Sequence, residues 1–292
     1  MRTIAHIAEI QAHFAGAKKS VYTPKELDSL LYENRQQWNI PRSCGARKFQ
    51  QLLTERIGLK QILLISDKSK AISRLVRGKP SNLEIGASLI SGSYFSHQTA
   101  ALIHSLIEIT PRQLFVNKEQ GPKPRTKNNL TQEALDRVFS NHPRTSTFKY
   151  RESGDTEGVD YIILSGKFTQ NRGVEVVDHS SAGEIRVTNI PRTLIDLVVR
   201  PQYLGSPALL LKIFRNAKPK IEPEQIVSLL RDLDYVYPYQ QSVGFLMQRA
   251  DFPPKAYRKL KRLVTKFDFY LAHRMDTPRY DPEWKLFYPA EF

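Results

Sequence analysis

The sequence predicts an α+β chain in two parts. A helix-rich unit closed by a β-hairpin spans residues 1–80, and a larger mixed α/β unit with a helical C-terminal half spans 81–292. Three observations carry this. Residues 1–80 hold three amphipathic helical stretches followed by two β-prone runs. The same stretch has 15 Lys/Arg against 6 Asp/Glu, a net +9 out of +15 for the whole chain. Beyond Gly78-Lys79-Pro80 the pattern changes to short β-prone runs between turn residues, and from Asn189 onward to helices.

The first helix is expected to present Ile4, Ile7, Gln11 and Phe14 on one face and to stop near Gly16. Thr23-Pro24-Lys25-Glu26 is a strong start for the second, with Thr as N-cap, Pro in the first turn and Glu closing a capping box. Leu27, Leu30 and Leu31 supply its buried stripe. The third helix is expected over residues 43–57, stopped by Gly58, with Ala46, Phe49, Leu53 and Ile57 as its apolar face. Two β-prone runs, 61–66 and 71–77, follow around Asp67-Lys68-Ser69-Lys70. Three helices and a basic-tipped hairpin are the element order of a winged helix-turn-helix.

In the larger unit a helix is expected over 93–108, a strand near 113–117, and a long basic loop from Lys118 to Asn129. Thr131 caps a further helix, and the clearer strands are 161–165, 173–178 and 184–187. Helices follow Pro191, Pro207, Pro223 and Pro254, with another over 239–249.

A chain of 292 residues with 40% apolar content is long and apolar enough for two folded domains. One cysteine, Cys44, excludes an internal disulfide and a multi-thiolate metal site. No run approaches the roughly 20 apolar residues that span a bilayer, so a cytoplasmic protein is expected. The charge favours a polyanionic partner.

Arg47, Gln50, Gln51 and Thr54 fall on one polar face of the third helix, opposite its apolar stripe. Guanidinium, amide and hydroxyl groups are those suited to reading base edges in a major groove. Arg42, Ser43 and Lys48 near the helix start, and Lys68, Lys70, Arg74 and Arg77 on the hairpin, are the expected phosphate contacts. The bland alternative is a solvated helix face. A similar reading applies to the basic C-terminal segment with Lys255, Arg258, Lys259, Lys261, Arg262 and Lys266.

Catalytic signatures are sparse. His97 and His104 share a helix face but stand about 10 Å apart along the axis, too far to chelate one ion. Asp160, Glu175 and Asp178 on neighbouring β-prone runs leave a metal-dependent nuclease as a minor alternative. No Gly-rich phosphate loop is present.

Two motifs carry a family resemblance: Tyr94-Phe95-Ser96-His97-Gln98-Thr99-Ala100, and Pro191-Arg192-Thr193-Leu194-Ile195-Asp196 leading into Arg200-Pro201-Gln202-Tyr203-Leu204-Gly205. In this order and at this separation the chain resembles the AbiEi-type antitoxins of type IV toxin–antitoxin systems. Family members often place an acidic residue between that Pro and Arg, which are adjacent here. The resemblance implies a winged helix-turn-helix that binds operator inverted repeats in double-stranded DNA and represses its own operon. It also implies a C-terminal domain that counters a nucleotidyltransferase-like toxin, with or without direct contact, and no enzymatic activity or cofactor. The alternative of another class is a stand-alone winged-helix regulator with a sensing C-terminal domain.

Overall fold

The computed structural model describes residues 6–109, 111–124, 130–155 and 158–292. Ile4, and residues 125–129 at the end of the expected basic loop, lie outside them. The N-terminal elements are α1 (Ile7–Gly16), β1 (Val21–Tyr22), α2 (Pro24–Asn34), α3 (Ala46–Leu52), β2 (Lys60–Ser66) and β3 (Ala71–Val76). The capping box of α2 forms as expected: Thr23 Oγ1 accepts from the Glu26 amide at 3.2 Å, and the Glu26 carboxylate accepts from the Thr23 amide at 2.8 Å. On α1 the buried side chains are Ile10 and Phe14, and Gln11 is exposed, so the stripe is rotated from the expected one.

The third helix is shorter than expected. Regular α-helix ends at Leu52, a wider π-helical turn covers Leu53–Ile57, and Gly58 closes it at φ +84°, where a side chain would be strained. Ala46 is exposed, leaving Phe49 and Leu53 as the buried anchors. Phe49 stacks on Trp38 with ring centroids 5.9 Å apart, and Phe14 meets Tyr22 edge-on at 5.0 Å. Each such fully buried side chain contributes roughly 1.5–3 kcal/mol of transfer free energy. With Ile10, Leu27, Leu31 and Leu75 they form a core local to the first 80 residues.

Next come α4 (Asn82–Ser88), β4 (Tyr94–Phe95), α5 (His97–Ile103), β5 (Gln113–Glu119), α6 (Gln132–Ser140), β6 (Lys149–Glu152), β7 (Asp160–Gly166), β8 (Val174–His179) and β9 (Gly183–Thr188). The helical half holds α7 (Ile190–Val199), α8 (Leu209–Ala217), α9 (Pro223–Leu233), α10 (Tyr239–Arg249) and α11 (Pro254–Lys261). It ends on a small sheet of β10 (Phe269–Tyr270), β11 (Arg279–Asp281) and β12 (Leu286–Tyr288). The chain is thus mixed α/β. The helix expected over 93–108 begins four residues later, because Tyr94 and Phe95 pair with β5 and β9 instead.

The main sheet has nine strands in the order β1-β3-β2-β6-β7-β5-β4-β9-β8. Its course crosses the expected boundary at residue 80: β2 pairs antiparallel with β6, Leu64 opposite Glu152 and Ser66 opposite Tyr150. Over Leu64–Ser66 the outer edge of the hairpin, which would otherwise expose backbone donors and acceptors, is thereby paired. Alternation divides the hairpin between two cores. Leu75 faces the N-terminal helices, whereas Leu64 and Val76 join Ile85, Leu89, Phe95 and Val116 on the other side. Among the described residues, no helix is long and apolar enough to cross a membrane.

Candidate functional site

The basic N-terminal surface is built around the connection from α2 to α3. Arg35 donates to the Pro41 carbonyl at 2.7 Å and to the Cys44 carbonyl at 3.0 Å, fixing the segment that carries Arg42 and Ser43. Arg42, Ser43, Arg47 and Lys48 are all exposed at the start of α3. Gln50 is half-buried and Gln51 exposed, and the Gln51 amide donates to Glu55 at 2.8 Å. Thr54 lies within the π-helical turn, half-buried, and its hydroxyl donates to the Gln51 carbonyl at 2.9 Å. Arg47, Gln50 and Gln51 lie on the regular α-helical turns of α3, and Thr54 lies on the wider turn that follows.

Lys68 and Lys70 are exposed at the hairpin tip, with Lys68 Nζ 5.8 Å from the centre of the Phe148 ring. Arg74 is a correction. It is only 6% exposed and donates to the Ser88 hydroxyl at 3.0 Å and to the carbonyls of Ser73, Ser88 and Leu89. Its place on β3 puts it on the face covered by α4, so it ties hairpin to helix and does not reach a phosphate. Arg77 is half-buried and donates to the Ala15 and Ala17 carbonyls at 2.8 and 2.6 Å, which closes the end of α1.

The three carboxylates of the nuclease alternative do not meet. Asp160 is on β7 and is held by Lys149 at 2.8 Å and Arg151 at 2.7 Å, which outweigh burial and keep its pKa low. Glu175 and Asp178 are on β8, four strand steps away, or about 19 Å at the usual strand spacing. Among the described residues no group of three His, Cys, Asp or Glu is placed to hold a metal. His104 donates to the Thr188 carbonyl at 2.7 Å. Cys44 is half-buried beside Gly45.

The two motifs that carry the family resemblance converge, which their sequence separation did not reveal. On α7, Arg192 and Asp196 form an ion pair at 2.8 Å, with both residues at least 95% buried. Arg192 also donates to the Arg172 carbonyl at 2.6 Å and to the Thr169 hydroxyl at 3.2 Å. Thr169 in turn donates through its amide to Glu119 at 2.8 Å. Burial alone would raise the pKa of Glu119, but hydrogen bonds from Thr169, Asn171 and Tyr94 outweigh it and hold the carboxylate low. Tyr94 donates to Glu119 and accepts from Asn117 at 2.7 Å.

His97 completes this cluster. It is buried, adopts φ +53°, shares a 2.8 Å hydrogen bond with Ser96, and packs edge-on to Tyr203 at 5.1 Å. Burial pushes its pKa down to about 4, against a smaller upward pull from Asp196, so the ring is neutral at pH 7. The close approach of α7 to the preceding turn needs Gly173, at φ +71°: a Cβ there would lie 2.8 Å from that of Arg192. The one sequence signal for this network is an Arg and an Asp four apart inside an otherwise apolar helix, a spacing that pairs them on one buried face.

No protein-family model and no curated protein matches the chain. Among solved structures, it is similar in fold to the crystal structure of the RV2827C protein from Mycobacterium tuberculosis, with a TM-score of 0.56 at 12% identity, over 99% of this chain and 93% of that one.

Proposed function

We propose that this protein is a DNA-binding transcriptional repressor whose first 80 residues act as a winged helix-turn-helix, and that it serves as the antitoxin of a type IV pair. The observation that carries the DNA-binding part is the arrangement of α1, β1, α2, α3 and the β2–β3 hairpin, with β1 on β3, around exposed cations at two places. One is the start of α3, with Arg42, Arg47 and Lys48, and the other is the hairpin tip, with Lys68 and Lys70. In this reading α3 enters the major groove, Arg47, Gln50 and Gln51 face base edges, and the remaining groups hold phosphates. The operator is an inverted repeat upstream of its own gene. The antitoxin part rests on the two motifs, and its target is a nucleotidyltransferase-like toxin.

A second reading, a stand-alone regulator whose C-terminal part senses a ligand, draws on a cleft of about 1090 Å³ lined by Asn117, Arg192 and Tyr203. A toxin gene beside this one, with growth arrest relieved on co-expression, would favour the antitoxin.

The deciding experiment is binding to the protein's own upstream duplex and to a scrambled duplex across a salt series. A preference of about 10³-fold or more is expected for an operator reader. Equal affinities that fall in parallel with salt would mean phosphate attraction alone and would reject the repressor reading.

A further inference from the structure

A cleft of about 1090 Å³ opens beside the convergent motifs. It lies at the C-terminal ends of the parallel strands β5 and β7, where Asn117, Gln120, Leu164 and Gly166 line it. Crevices outside the carboxyl ends of parallel strands are where open α/β sheets place ligands. The opposite wall comes from α7 and the turn after α9.

Three properties of the lining point to one kind of ligand. First, it carries six Lys/Arg side chains against three Asp. Arg144, Arg172 and Arg200 are exposed on its rim, and Lys123 is at its mouth, so an anionic group is attracted. Second, Asp196 lines the cleft at 5% exposure, and its Oδ2 has no hydrogen-bond partner among the described residues, although Oδ1 is held by Arg192. A buried carboxylate oxygen without a partner is costly, and a donor at the cleft floor, a ligand group or a bridging water, would satisfy it. Third, Phe168 and Val236 stand 40% and 63% exposed among the lining residues, an apolar surface for a flat body. An anionic end, a hydroxyl or amino donor and a flat ring together describe a nucleoside phosphate.

We infer that this cleft binds a nucleoside phosphate group, supplied by a free nucleotide or by the end of a single RNA strand. The phosphates lie against the Arg144 and Arg200 side of the rim, the base lies against Phe168, and a sugar hydroxyl or base amine donates to Asp196, directly or through a water. The inference does not depend on DNA binding by the N-terminal surface.

Calorimetric titration of the full chain at 0.15 M salt tests it, using ATP, GTP, CTP, UTP, inorganic pyrophosphate and a single-stranded RNA trinucleotide. One-to-one binding of at least one nucleotide or of the trinucleotide is expected, at least ten-fold tighter than pyrophosphate. Whichever binds more tightly identifies the source. Arg144→Ala and Phe168→Ala, both exposed and outside the cores, should each weaken it ten-fold or more. Arg47→Ala should leave it unchanged. Phe168→Ala should leave weak pyrophosphate binding intact. The inference is overturned by no binding at millimolar ligand. It is equally overturned by binding that ignores both cleft variants or falls with Arg47→Ala, since the anion would then sit on the basic N-terminal surface.

Discussion

The N-terminal surface and the floor of the cleft both owe their character to arginine, and they use it in opposite ways. Arg47 stands exposed on α3 with its charge in water, whereas Arg192 is 3% exposed and each of its hydrogen bonds is made inside the protein. An exposed cation adds little to stability and is available to a polyanion. A buried one is tolerated only when paired, and removing its partner leaves an uncompensated charge. Arg74 shows that position along the chain does not decide between these roles: it lies within the basic segment and is buried all the same. What decides is the strand face on which it falls.

The largest effect that would sharpen this contrast is expected from Asp196→Ala. Stranding Arg192 should cost about 3–5 kcal/mol in chemical denaturation, while Arg47→Ala should stay within about 0.5 kcal/mol of the parent protein. Equal stability of the two variants would break the distinction.

A pH effect of similar origin follows from His97. Its pKa falls from 6.5 in the unfolded chain to about 4 in the folded one, so between those values the unfolded chain binds a proton that the folded chain does not. The contribution is fully present above pH 6.5 and is lost as pH falls toward 4, amounting to about 3 kcal/mol at the low end. Denaturation midpoints measured across that window should drop, and the drop should be smaller in His97→Gln.

Smaller effects belong to the exposed surface. Arg47→Ala should cost about 1–3 kcal/mol of discrimination at one base position, read by competition with single-substitution duplexes. Lys68→Ala should weaken all duplexes alike and reduce the slope of log affinity against log salt by about one. A sequence-selective loss with Lys68→Ala would show that the hairpin tip reads bases.

Local signals were legible in the sequence wherever a residue acts on its own neighbours. The Thr23–Glu26 capping box, Thr131 as N-cap, and prolines opening α2, α9 and α11 all placed helix starts within a few residues. Long-range pairing was not legible. Nothing in Lys149–Glu152 announces that it will extend the hairpin across residue 80, because strand partners are chosen by register and burial over distances that periodicity does not encode. Tyr94 and Phe95 have a helical pattern in sequence and are strands in the fold for the same reason: their pairing with β5 and β9 overrides local preference. The two motifs could be spotted as separate capped elements, but that Arg192, Thr169, Glu119 and Tyr94 form one network is a property of the fold. The polar face of α3 was legible as far as Gln51. The π-helical turn that carries Thr54 has no signal in the sequence.

The most direct test of the account compares Arg47→Ala and Arg74→Ala by fluorescence anisotropy on the protein's own upstream duplex, each preparation checked for folding by circular dichroism. The account predicts that Arg47→Ala loses discrimination between this duplex and a scrambled one, and that folded Arg74→Ala retains it. Loss of discrimination in folded Arg74→Ala with none in Arg47→Ala would contradict the assignment of α3 as the DNA-reading element.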